Sequence, residues 1–111
     1  MPLFLISFDD GAMQFPREDL PAVAEASNRV VNQAREAGVW VFGGGFERQQ
    51  STVVGTDVSV SAGPFPEVKA VLGGFSVVDV PTREEAHRWA AKISETCRCA
   101  QEVREFLPGA G

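Results

Sequence analysis

Apolar residues run through Leu3, Phe4, Leu5 and Ile6 and past Ser7 to Phe8, then stop at Asp9-Asp10-Gly11. A short bulky run ended by turn formers predicts a strand over 3–8. Over 19–37 the period changes. Leu20, Val23, Val30, Val31 and Ala34, with the small Ala24, Ser27 and Gly38, form one stripe at helical spacing. Pro21 suits a first turn, where no N–H is needed, and Gly38 suits the left-handed position after the last. Residues 39–42 predict a second strand running into Gly43-Gly44-Gly45. "STVVGTDVSVS" predicts a hairpin of 52–54 and 58–61 about Gly55-Thr56-Asp57. A strand over 74–80 follows. Thr82 and Glu85, after Pro81, make a capping-box pattern, and Ala86, Trp89, Ala90 and Ile93 form the stripe of a second helix. Residues 102–106 predict a last strand before Pro108.

The order β-α-β, hairpin, β-α-β predicts an α+β fold of ferredoxin-like type, one antiparallel sheet with both helices on one face. A sheet with one wet face should alternate apolar and polar residues. "LFLISF", "VWVF" and "FSVV" do not. Two helices cover one face, so a second copy of the chain is expected to cover the other, as a homodimer. Trp40 and Phe42, two residues apart, are expected to share a face, and burying them would contribute several kcal/mol at ~25 cal/mol per Å².

Composition narrows the partners. The 111 residues are 44% hydrophobic, enough for a core. A net charge of −5, with no basic run interleaved with aromatics, argues against nucleic acid and against an anionic membrane. The opening apolar stretch is six residues long, lacks a basic flank and ends at two aspartates, so it is read as a strand and not as a signal peptide or a membrane span. Cys97 and Cys99 are one residue apart. A disulfide there would be strained and two thiols alone make no zinc site, so free thiols in a cytoplasmic protein are expected. No metal and no cofactor is expected. "GGGF", over 43–46, lacks the spacing and the following helix of a phosphate cradle.

Three groups of residues could carry chemistry. His87, the one histidine, lies off the stripe of the second helix and is expected at the surface. Asp9 and Asp10 end the first strand, where a carboxylate could serve as a base at a cavity mouth, although neighbours on a strand point to opposite faces. Glu102 and Arg104 share a face, opposite Val103. Arg104 is a candidate for holding an anion, with an ion pair within or across the dimer interface as the plainer role.

The stretch 62–75 reads Ala62-Gly63-Pro64-Phe65, then Glu67, Lys69, Leu72, Gly73, Gly74 and Phe75. It resembles the signature D-G-P-F-x-E-x-K-x-x-L-G-G-[FY] of DGPF-domain proteins in the YCII-related family. Glu85-Ala86 and the closing "QEVREF" extend the likeness to most of the chain. The resemblance implies a dimeric α+β barrel, a single domain over 1–107 and a flexible tail over 108–111. It also implies structural roles for Gly63, Pro64, Glu67, Lys69, Gly73 and Gly74. Ala62 replaces the signature aspartate, so no catalytic role carries over at that position. Relatives include a dechlorinating enzyme acting on a hydroxylated aromatic ring, and DGPF proteins often accompany sigma factors. The expected function is binding of a small aromatic or anionic metabolite in a cavity between sheet and partner, lined by Trp40, Phe42, Phe65, Phe75 and Arg104. The alternatives are a lyase or isomerase using Asp9 or Asp10, and a dimeric interaction module linked to regulation.

Overall fold

In a computed structural model that describes residues 2–46, 50–64 and 72–111, the chain forms six strands and two helices. These are β1 (Leu3–Asp9), α1 (Leu20–Glu36), β2 (Trp40–Gly45), β3 (Thr52–Val54), β4 (Val60–Ala62), β5 (Leu72–Asp79), α2 (Arg83–Cys97) and β6 (Glu102–Glu105). Phe65, Glu67 and Lys69 lie outside the described residues.

The main sheet has the order β2-β5-β1-β6, antiparallel throughout. Each β-α-β unit skips over a neighbouring strand, so the two halves interleave as the sequence order predicts. β3 and β4 pair only with each other, as a separate ribbon. Its turn departs from the expected one: Val58 does not begin a strand but sits in the turn with φ of 62°, and Asp57 accepts a 3.0 Å bond from the Ser59 N–H. That bond and the Ser59 hydroxyl hold the Asp57 carboxyl below its ordinary pKa.

α1 starts after a short 3-10 turn at Arg17–Asp19 and ends where Gly38, at φ of 75°, takes the left-handed position and donates to the Arg35 carbonyl. α2 is capped by Thr82, whose hydroxyl accepts from the Glu85 N–H at 3.2 Å. The core lies between the sheet and α2: Phe4, Ile6, Val78, Val80, Ala86 and Ala90 form one buried cluster, flanked by Val39, Trp89, Ile93 and Val103. α1 contributes nothing to that cluster. It is tied instead to α2, by Arg98 to Asp19 at 2.8 Å and by Lys92 to Gln33 at 3.4 Å. Leu20, expected in the buried stripe, is 54% exposed.

Register sorts the strand residues by face. Phe4 pairs with Val78 and Ile6 with Ser76 and Val103, on the helix side. Leu5 with Val77 and Ser7 with Phe75 therefore point to the other side, as do Glu102 and Arg104. β2 breaks the alternation: Trp40 pairs with Val78 but Phe42 with Val77, with Val41 bulged between them. Trp40 and Phe42 thus face opposite sides, contrary to the expectation from their spacing, because one extra residue reverses the parity of the strand.

Candidate functional site

Because α1 rests on α2 rather than on the sheet, a space of about 660 Å³ remains between helices and sheet. Its floor is aromatic. A Cβ at Gly43 would lie 2.8 Å from Cη2 of Trp40, and one at Gly74 would lie 2.7 Å from Cζ of Phe8. Only glycine at these two positions leaves room for the rings against the backbone. The roof comes from Ser27, Val30 and Val31 of α1 and Ile93, Thr96 and Cys97 of α2. Asn28, Asn32 and Arg35, along α1, complete one side, and Gln101 stands at the end of the loop into β6. Such a volume, mostly apolar with a few polar groups, is within the range of small-molecule sites.

Gln101 is held with its side-chain N–H groups toward the Cys99 carbonyl at 3.4 Å and the Cys99 sulfur at 3.6 Å. This fixes its amide orientation and leaves Oε1 buried with no hydrogen-bond partner. Burial pushes the Cys99 thiol up, the neighbouring Cys97 adds to the rise, and the Gln101 contact opposes it. Both cysteines are free thiols. Among the described residues no cluster of histidine, cysteine, aspartate or glutamate is suited to a metal, and no helix is long and apolar enough to cross a membrane.

The residues expected to form one site are divided between the two faces of the sheet. Trp40 lines the helix-side cavity. Phe42 stands on the open face, 63% exposed, with its ring 6.1 Å from that of Phe75, and Phe46 lies 5.9 Å from Phe75. Arg104 is on the open face as well, bonded to Glu102 at 3.0 Å, which is the plainer of its two expected roles. Asp9 and Asp10 are exposed at the end of β1 and outside the cavity wall. Four residues of strand separate Asp9 from Leu5, the partner of Arg104, or about 13 Å. His87 is exposed, beside a shallow groove on the outer side of α2.

Ala62 ends β4 opposite Thr52, and the Gly63 N–H continues the ribbon with a 2.8 Å bond to the Ser51 carbonyl. Gly73 passes 2.9 Å from the backbone of Asp9 and Asp10, measured from the Cβ it lacks. Phe8, Gly43, Val31 and Arg35 escaped the sequence reading as site residues. The usable signal was a deficit of volume: Ser27 interrupts the α1 stripe, and three glycines follow Trp40 on the strand.

Two layers, an interleaved β-α-β pair and a ligand-sized space under the helices define an α+β fold with a cavity between helices and sheet. The family model of the YCII-related domain matches residues 3–108, and the chain belongs to that family. No curated protein matches it. Among solved structures it is similar to 5-chloro-2-hydroxyhydroquinone dehydrochlorinase from Burkholderia phenoliruptrix AC1100, in complex with 2,5-dihydroxybenzoquinone. That likeness has a TM-score of 0.48 and 16% identity, over 98% of this chain and 96% of the other.

Proposed function

We propose that the protein binds a small, flat, apolar-ringed molecule in the cavity between helices and sheet. The observation that carries this reading is the floor, where Trp40 and Phe8 lie against Gly43 and Gly74 and present aromatic surface to an open space. A planar ring stacked there gains apolar burial and favourable ring-ring geometry. Trp40 is also its own reporter. With Trp89→Phe, indole fluorescence comes from Trp40 alone, so titration with aromatic compounds should quench or shift it saturably. An emission unchanged across a broad panel of aromatic compounds would remove the reading.

Turnover is the weaker reading. It needs Asp9 or Asp10 as a base, and neither lines the cavity. A pure interaction module calls for a small or filled cavity, which a space of about 660 Å³ does not favour.

The same proposal includes a homodimer closed through the open sheet face. The chain measures 43 × 42 × 19 Å, a slab one helix layer and one sheet thick. Leu5, Phe42, Phe46, Phe75 and Val77 crowd the uncovered side, with Phe42 and Phe46 more than half exposed. A second sheet packed face to face would bury them and give the barrel that the family resemblance implies. Sedimentation at micromolar concentration separates an 11.9 kDa monomer from a particle of twice that mass.

A further inference from the structure

Arg35 is the one charged side chain among the described residues that line the cavity. The chain carries 15 acidic and 10 basic residues, yet among the described residues no acidic side chain lines that wall. Elsewhere most basic side chains are occupied: Arg29, Arg83, Arg88, Arg98 and Arg104 each pair with a carboxylate. Among the described residues the Arg35 guanidinium has no hydrogen-bond or ion-pair partner. Asn28 and Asn32 lie on the same side of α1, seven and three residues earlier, and add amide N–H donors to that edge. The wall also includes Ser76, Thr96 and Gln101, which carry no charge, and the free thiol Cys97. The position in the last turn of α1 favours a cation in its own right. That explains a basic residue there, but it does not explain why no carboxylate of the described residues lines the wall around it.

We infer that the ligand is a small aromatic anion, its ring on the Trp40 floor and its charged oxygens on Arg35. This rests on the cavity reading above and adds the charge of the ligand and the residue that selects it. Guanidinium forks match the planar, two-oxygen geometry of a carboxylate, and a site partly screened from water strengthens the pair. Arg35 is exposed at the rim, so a ligand can reach it without opening the core.

The test compares aromatic carboxylates with their neutral amides, beginning with benzoate against benzamide and 1-naphthoate against 1-naphthamide. Affinities are read from Trp40 fluorescence in the Trp89→Phe background, for Arg35, Arg35→Gln and Arg35→Lys. The expected result is a preference for the carboxylate of at least tenfold, lost in Arg35→Gln and partly restored in Arg35→Lys. Amide binding should stay the same in all three. Equal affinity for acid and amide, or an acid affinity indifferent to Arg35→Gln, overturns the role of Arg35 and leaves the cavity reading standing. No saturable change with any of the four compounds overturns the inference, and extension of that silence to the broad aromatic panel removes the cavity reading too. Arg35 is a rim residue, so far-UV circular dichroism should show the variants folded alike.

Discussion

Trp40 and Gly43 stand three residues apart on one strand and meet on one face of the sheet, with the indole edge where a Gly43 side chain would be. In a regular strand residues three apart face opposite ways. The bulge at Val41 brings them together, and the missing Cβ lets the ring lie flat. Gly43→Ala would set a methyl group 2.7 Å from the Phe75 carbonyl oxygen as well as 2.8 Å from the indole. The backbone oxygen cannot swing away. The variant should lose about 1–3 kcal/mol, read as a lower Tm, and should bind aromatic probes more weakly because the floor is lifted.

Val31 tests the space from above. It is half-buried and lines the roof. Val31→Phe should fill part of the cavity at little cost to stability, because open volume accepts the ring. Probe affinity should fall at least tenfold. Unchanged affinity, measured by calorimetry on the folded variant, would place the bound ring elsewhere.

On the opposite face, Phe42→Asp puts a charge where a second sheet is proposed to rest. Phe42 is 63% exposed in the single chain, so the fold of each protomer should survive. Wild type should sediment as a dimer and the variant as a monomer. A variant that remains dimeric would move the seam off this face.

The cap at α2 gives a prediction independent of ligand and partner. Thr82→Ala removes the acceptor of the Glu85 N–H. The expected loss is about 1 kcal/mol, a fall in Tm of about 4 °C for a domain of this size. Thr82→Ser should restore most of it.

Cys99 offers a pH-dependent check. Burial holds its pKa above the ordinary value, so the folded chain keeps the thiol protonated where the unfolded chain already forms thiolate. Its contribution to stability is therefore fully present below the ordinary thiol pKa and lost as pH rises from there through the raised pKa of the folded chain. Iodoacetamide at pH 8 should modify Cys99 several-fold more slowly in the native protein than in urea, read peptide by peptide in a mass spectrometer. Equal rates would contradict the assignment.

Much of this fold is written in the period of the apolar residues. The runs at Leu3 to Phe8 and Phe75 to Val80 gave the two central strands, and Thr82 with Glu85 marked the start of α2. The open face was legible too, since Leu5 stands between the equally apolar helix-side Phe4 and Ile6, and Val77 beside helix-side Val78. The site was less so. Arg35 and Val31 look like ordinary members of a helix, and what makes them a wall is the failure of α1 to settle on the sheet. That gap arises from small residues on both sides, Ser27 above and Gly43 and Gly74 below. Apolar pattern counts which residues are apolar, whereas a cavity depends on how much volume they leave unfilled. Arg104, by contrast, shares the open face with Glu102 because the two are two residues apart on β6, and that spacing permits their ion pair.

The bulge at Val41 has a counting consequence. A strand is read in steps of two, and every later position inherits the parity of the earlier ones. One supernumerary residue changes odd to even for all that follows, so β2 hands an indole to one side of the sheet and a phenyl ring to the other within three residues. Deleting Val41 would alter composition by a single valine. It would also remove the bulge and leave Phe42 opposite Val77 and Gly43 opposite Ser76, on the sides they hold now. A pattern that matches this segment with a gap of one at that point therefore describes the same interior, whereas an ungapped count in steps of two puts Phe42 on the wrong side.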